Sequence, residues 1–524
     1  MRTRRSRDDR RSGGKARWLG VLASMIALVS GCGSDGGEHG SDRARLELHG
    51  CAGAGIADAK CGTLTVEEDR AAPNGRRIDL AIFVAPATSR TPAKDPVFLL
   101  AGGPGQGAAE LGPQIVSKLE PIRRDRPLVF VDLRGTGSAG PLRCDVEDPE
   151  DLAQLLGASF DHSKLEGCLA SYDGADLSQY TTPAMVEDLE QVRAALGYPQ
   201  INLLAISYGS RVALEYMRRY PENTRAVALD GVVPPDLEVS LAAPANAEAA
   251  LELVFADCRA DPECAAAFPG LERKLARVLS ELESNRALEE FEHPRTGERV
   301  RVDISRAGFV AALRAALYSD YFTSLLPLII DRAHVGDWGP IAAVALHTAK
   351  ISKTISLGLY FSVACSEDLR RLDPAARREA IEPLEVFDDH MLAQLEQICA
   401  RWPHATHGPE LFTPVESSVP TLMLSGRYDP VTPPALAEQA AATLSNARHV
   451  VATHVSHGVW HHGCAPKLLA EFFATADPAA LDASCLEPVP RRRLFLGPNG
   501  PRRLEPLALE PAKLGGPELA QGAR

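Results

Sequence analysis

Short apolar runs of strand length recur along the chain, at residues 63–66, 78–84, 97–100, 127–131, 201–206, 226–229, 421–424 and 449–454. Runs of this length bounded by turn-forming residues predict strands. Residues 185–196, 435–444 and 466–474 instead carry apolar positions at helical spacing. Strands alternating with helices predict an α/β fold with a mostly parallel sheet. Between about 235 and 415 the alternation stops. That interval is rich in alanine, leucine and arginine and has helical periodicity at 271–282, 309–317 and 325–333. An insertion of this size after the sixth predicted strand reads as a large helical cap, which would restrict access to a site and select substrates.

The run 201–206 passes directly into Ser207, and beyond it Val212, Ala213, Tyr216 and Met217 recur at helical spacing. The serine therefore stands on a sharp strand-to-helix turn, a geometry that lifts a hydroxyl out of a sheet toward a substrate. The usual G-x-S-x-G pattern has alanine in its first place here, in Ala205-Ile206-Ser207-Tyr208-Gly209. Taken alone, the stretch also allows a turn with an exposed structural serine. The strand at 97–100 runs into Ala101-Gly102-Gly103-Pro104-Gly105. Glycines let the backbone come close to a ligand and leave amide N–H groups free to face developing negative charge. The backbone amides of Gly103 and Tyr208 are the candidate oxyanion donors. A phosphate-cradling loop is the rival reading, but no Lys-Ser/Thr follows to complete one.

A serine nucleophile needs a histidine base and an orienting carboxylate. Asp230 and Asp429 both follow strands. Asp429 is the stronger candidate because the compact turn Ser425-Gly426-Arg427-Tyr428-Asp429-Pro430 can aim it. His457, just past the last strand in Ser456-His457-Gly458, is the candidate base; His454 falls within the strand, and His461 and His462 lie past the loop. The spacing of His457 and His461 would suit a metal pair on a helix, but no acidic partner accompanies it, and neither metal nor cofactor is expected. Arg134, in the loop after the fourth strand, reads as an organiser of loops or a binder of a substrate carboxylate.

Composition then narrows the setting. The 524 residues are 45% apolar with a net charge of −13, which argues against a nucleic-acid partner. An arginine-rich start is followed by an apolar run at 18–29 and Val29-Ser30-Gly31-Cys32. The run is too short to span a bilayer and suits a signal peptide. The tetrad resembles a bacterial lipobox, in which Cys32 would be lipidated; an ordinary signal peptide cut nearby is the alternative. The expected organisation is a leader at 1–31, a Gly/Ser-rich tether at 32–50, a first core part at 51–234, the cap at 235–415, a second core part at 416–487 and a Pro/Arg-rich tail at 488–524. The expected location is the cell envelope, as an exported lipoprotein anchored to a bacterial membrane through Cys32. Ten further cysteines fit an exported disulfide protein, and the simplest expectation pairs neighbours in order.

Several segments together resemble the secreted prolyl and tripeptidyl aminopeptidase family of α/β-hydrolases, whose members carry a TAP-like C-terminal part. They are AGGPGQG at 101–107, DLRGTG at 132–137, YTTPAMVEDLEQVRAALG at 180–197, AISYGSR at 205–211, LDGVVPP at 229–235, FADCRADPECAAAFPG at 255–270, VACSEDL at 363–369, SGRYDPVTPP at 425–434 and SHG at 456–458. The resemblance covers about residues 51–485 and departs from the family at Ala205 and at Ala101, where the family has HGGPG. It implies an α/β-hydrolase fold with Ser207, Asp429 and His457 as triad, and an aminopeptidase acting on peptide N-termini through an acyl-enzyme. Such an enzyme needs an anion for the substrate's α-ammonium. Glu367 and Asp368 are the candidates, with a solvated acidic turn as the other reading. An esterase or other amide hydrolase using the same triad, and a catalytically silent surface-binding protein, are the alternative functions.

Overall fold

The computed structural model of the chain describes residues 46–501 apart from 52–54, 147, 158–161, 173, 285–286, 488 and 490–491. The leader, Cys32, most of the tether and the tail beyond 501 lie outside the described residues. The strands are β1 (His49–Gly50), β2 (Lys60–Glu67), β3 (Arg77–Ala85), β4 (Val97–Leu100), β5 (Leu128–Val131), β6 (Ile201–Ile206), β7 (Thr224–Asp230), β8 (Ala287–Glu292), β9 (Arg299–Ile304), β10 (Thr421–Gly426) and β11 (Ala447–Ala452). Nine of them form one sheet in the order β1-β2-β3-β5-β4-β6-β7-β10-β11. From β5 to β11 every pairing is parallel, while β1, β2 and β3 add an antiparallel edge. β4, β5 and β10 are buried at every position, as expected of strands covered on both faces.

One face of the sheet packs on the helices Thr182–Leu196 and Tyr208–Arg219 through Val186, Leu189, Val212 and Tyr216. The other packs on Ala465–Thr475 through Leu468, Leu469, Phe472 and Phe473. A third apolar cluster belongs to the insertion between β7 and β10 and is centred on Phe309, Leu313, Ile330 and Ile341. Three features of this region differ from the sequence reading. The insertion follows the seventh strand, because the two-residue β1 has too little apolar signal to be seen. It contains a β8–β9 hairpin as well as helices. Its core also takes in Leu152 and Leu156 from the helix Leu152–Gly157, which precedes β6 in the chain. The 22-residue helix Val239–Ala260 is long and apolar enough to cross a membrane, but here Ala247, Leu251, Val254 and Phe255 pack into the cap core.

The ten cysteines in the described region pair as neighbours: Cys51–Cys61, Cys144–Cys168, Cys258–Cys264, Cys365–Cys399 and Cys464–Cys485. The widest bridge closes 34 residues of the cap. On chain-entropy grounds a loop of that length contributes about 4 kcal/mol.

Candidate active site

β5, β4 and β6 are neighbours in the sheet, so the chain leaves β4 toward one side and returns to its other side. Ligand crevices in α/β sheets form at the carboxyl ends of strands at such a reversal. Ser207 stands at the end of β6 with φ 55° and ψ −126°, a conformation that a residue with a side chain adopts only under strain. The strain is pinned on both sides. Ser207 N–H donates to Asp230 O at 2.8 Å, and Ser207 O accepts from Ser210 N–H at 2.8 Å and Ser210 Oγ at 2.5 Å. Gly209 lies so near the end of β4 that a Cβ would meet Leu100 O at 2.5 Å, so glycine is required there. Ala205, where the family has glycine, is fully buried between β4 and β7.

The glycine loop lies against the serine, and a Cβ on Gly102 would be 3.0 Å from Ser207 Cβ. Gly103 has φ +111°, which a side chain would strain. The loop is fixed from two directions. Asp132 accepts from Ala109 N–H at 2.7 Å and Ser138 N–H at 3.2 Å, and Gly105 O accepts from Ser356 N–H of the cap at 2.9 Å. Tyr208 opens the helix Tyr208–Arg219, whose first amides have no partner within the helix and point their positive end at the crevice.

His457 Nδ1 is 2.7 Å from Asp429 Oδ2. Asp429 Oδ1 accepts from Val431 N–H at 2.9 Å and Thr432 N–H at 2.8 Å, while Thr432 Oγ1 donates to Oδ2 at 2.7 Å and lies 3.2 Å from His457 Nδ1. Burial works against the Asp429 carboxylate, but the charge and hydrogen bond of His457, with the Thr432 bonds, hold its pKa below the ordinary value. Burial likewise works against the imidazolium, and Asp429, aided by Asp230, holds the His457 pKa above the ordinary value. The ring also adjoins the turn after β7, since a Cβ on Gly231 would lie 3.2 Å from His457 Cε1. Asp230, just before that glycine, accepts Ser207 N–H on its carbonyl, so the turn after β7 adjoins both the serine backbone and the histidine ring.

The carboxylate of Asp230 does something else. It accepts from Val459 N–H at 3.0 Å and Trp460 N–H at 2.6 Å, anchoring the loop beyond His457. Burial pushes this carboxyl up to about 6, against those two bonds. Three cap residues absent from the sequence reading also hold the site. Asp320 Oδ1 accepts from Ser456 N–H at 2.6 Å, Asn246 Nδ2 donates to Val431 O at 2.9 Å, and Tyr318 packs edge-on against His457 with ring centres 5.5 Å apart. No local motif marks these residues, because their partners are more than a hundred positions away.

Glu367 and Asp368 end the helical stretch of the cap just beyond Cys365, where the chain makes a single π turn at Ala364–Asp368. Glu367 is fully buried, accepting Thr182 N–H at 2.7 Å and Thr182 Oγ1 at 2.8 Å. Thr182 Oγ1 is in turn 2.6 Å from the Tyr208 phenol oxygen. Burial pushes the Glu367 carboxyl up to about 7, partly offset by Arg211 and Thr182. Asp368 is 7% exposed and accepts from Arg211 Nη1 at 3.1 Å. Arg134 lies away from the crevice, gripping Asp188 at 2.7 and 2.8 Å and the carbonyls of Glu68 and Gln179. His454 faces Val489 O, and His461 packs tilted against Trp460, where burial depresses it to about 4. Among the described residues no group of three or more His, Cys, Asp or Glu side chains is placed to hold a metal ion.

A strained serine, a histidine–carboxylate pair beside it and backbone amides facing the same crevice are the parts needed for acyl transfer. Residues 95–460 match the family model described as the alpha/beta hydrolase fold. The chain belongs to the α/β-hydrolase family. This hydrolase is 30% identical over 194 residues to a tripeptidyl aminopeptidase of Streptomyces coelicolor, a match covering 34% of this chain and 35% of that protein. It is 25% identical over 418 residues to the serine protease Hip1 of Mycobacterium tuberculosis, covering 72% and 77% of the two chains. It is 25% identical over 227 residues to carboxylesterase B of the same species, covering 40% and 43%. The chain thus spans about a third of the length of the first curated relatives it matches. It is a member of the α/β-hydrolase family with relatives named as an aminopeptidase and a serine protease.

Proposed function

We propose that this hydrolase is an exported aminopeptidase that releases short peptides or proline-type residues from peptide N-termini. The observation that carries this reading is the Asp429–His457 pair set against the turn that also fixes Ser207. His457 takes the Ser207 proton, and Ser207 attacks the carbonyl carbon of the scissile bond. The amides of Gly103 and Tyr208 hold the oxyanion, an interaction worth roughly 3–4 kcal/mol per donor. His457 then gives its proton to the leaving amine, and water reverses the sequence at the acyl-enzyme. Glu367 and Asp368 serve the substrate's α-ammonium, with Asp368 the more accessible of the two. The names of the Streptomyces and Mycobacterium relatives support peptide substrates. The Cys32 tetrad supports anchoring of the exported protein to an envelope membrane.

The test is a panel of free and N-acetylated peptidyl anilides, ending in proline or alanine, given to the soluble form beginning after Cys32 with Ser207→Ala as control. Cleavage of the free-amine substrates alone, lost in the variant, is the expected result. Equal cleavage of blocked substrates would overturn the aminopeptidase reading. Activity confined to esters would favour the second reading, for which the match to a carboxylesterase speaks. Failure of a fluorophosphonate to label the folded protein would point to a silent binding shell.

A further inference from the structure

The arginines sealed into the core have acidic partners. Arg134 pairs with Asp188, Arg211 with Asp368, and the less buried Arg225 with Asp95. This is the expected arrangement, because a guanidinium withdrawn from water is costly unless an anion meets it. Arg314 breaks the pattern. It lies half-buried on the cap helix Arg306–Leu317, its Nε is shielded from solvent without a hydrogen-bond partner, and no carboxylate among the described residues forms an ion pair with it. Among the described residues its polar contact is Nη1 donating to the Tyr318 hydroxyl at 3.4 Å, with the guanidinium carbon 5.9 Å from that ring's centre.

The position of this charge gives it a use. Tyr318 is the ring packed edge-on against His457, so Arg314 is separated from the candidate base by a single aromatic side chain. Tyr360, a second phenol of the cap, is close enough to feel the charges of Arg314 and Asp368. Tyr360 lies one turn beyond Ser356, the residue bonded to the glycine loop at Gly105. Arg314 therefore lies in the part of the cap beside the histidine, next to Tyr318 and within electrostatic reach of the same Tyr360 phenol as Asp368. Asp368 is one of the two candidates for meeting the α-ammonium of the segment to be released.

We propose that Arg314 forms a carboxylate-binding subsite for the acyl side of the substrate, selecting peptides whose released N-terminal segment carries an aspartate or glutamate side chain. The guanidinium suits that partner because its fork of N–H donors matches a carboxylate in two parallel bonds. The inference rests on the reading of Ser207, His457 and Asp429 as the reacting groups, but not on the leaving group being an amine.

The experiment uses two substrate series whose members differ in the charged group they carry. One is free-amine peptidyl anilides with Glu, Gln or Lys in the released segment. The other is mono-p-nitrophenyl glutarate against p-nitrophenyl butyrate. The readout is the kcat/KM of the acidic member relative to the others in each series, for the wild type and for Arg314→Gln, Arg314→Lys and Arg314→Glu, each checked for folding by its thermal melt. The wild type is expected to favour the acidic member by about tenfold or more, the range of a charge-assisted bond. Arg314→Gln brings the ratio near one, Arg314→Lys keeps part of it, and Arg314→Glu inverts the peptide series in favour of lysine. Should Arg314→Gln fail to fold, Arg314→Lys against wild type carries the comparison. No acidic preference in the wild type, or a ratio indifferent to all three substitutions, overturns the subsite. A glutarate preference that tracks Arg314 while no anilide is cleaved keeps the subsite and removes the aminopeptidase reading. Anilide cleavage indifferent to charge does the reverse, and no turnover of any substrate removes both.

Discussion

Asp230 and Asp429 invite a direct comparison. They stand at the carboxyl ends of neighbouring strands, β7 and just beyond β10, each 1% exposed, within reach of the same histidine loop. Asp429 meets an ionisable ring, two backbone amides and a hydroxyl, and its pKa falls below the ordinary value. Asp230 meets two backbone amides of the loop beyond the ring, and its pKa rises to about 6. Burial is alike in the two, so the donors set the difference. A carboxylate opposite a cation stabilises charge, whereas one opposite neutral amides in a dry site holds position.

The sharpest way to break this contrast is Asp429→Asn. Asp230 is not aimed at Nδ1 and cannot substitute, so kcat should fall roughly 10³–10⁴-fold. Burial would then act on the imidazolium against Asp230 alone, so the acid limb of the pH profile, expected above the ordinary histidine value in the wild type, should move to lower pH. A profile that keeps its limb would mean that the Asp429–His457 bond does not set it.

Asp230→Ala should act on the loop instead of the charge. Two buried N–H groups lose their acceptor, costing about 1–3 kcal/mol in melting experiments and about tenfold in kcat. The two carboxylates also give stability terms of opposite sign. The raised pKa of Asp230 makes its contribution full below the unfolded value near 3.8 and progressively lost as pH rises through about 6. The depressed pKa of Asp429 makes its contribution present above the unfolded value and lost as pH falls through the folded one. Asp230→Asn should therefore flatten the decline in stability between about pH 4 and 6, which chemical denaturation across that range would reveal.

Thr432→Val tests the hydroxyl that steadies Asp429 against His457. It keeps volume and removes one bond, so about a fivefold loss in kcat is expected, with Thr432→Ser restoring most of it. The smallest effect is expected at Asp320, which holds the other end of the histidine loop from the cap. Asp320→Ala should cost a few-fold in kcat. Asp320→Asn, whose side-chain oxygen can still accept from Ser456 N–H, should cost less. Equal losses in the two would show that charge toward His462, 3.5 Å away, matters more than the hydrogen bond.

Much of the core was legible because its signals are local. A buried strand needs a run of apolar residues, and a strained turn needs Ser207 between a strand and a helix with glycine at 209. The order of strands and helices then places Asp429 and His457 on successive loops. β1 was missed because two residues carry no period, and β8–β9 because a charged, half-exposed hairpin lacks a continuous apolar run. Leu152 and Leu156 gave no sign of joining the cap, since their partners follow β7.

The sequence by itself determined the α/β alternation, the elbow, the order of Ser207, Asp429 and His457, and a run of cysteines whose neighbours pair. These depend on spacing along the chain, which covalent geometry converts directly into position. Tertiary structure alone decided that Asp230 anchors a loop, that Glu367 bonds to Thr182, that Asp320 and Tyr318 of the cap reach the histidine, and that Arg314 meets no carboxylate among the described residues. Each depends on which distant groups share a water-poor space, and that is set by packing between segments, which no local pattern encodes.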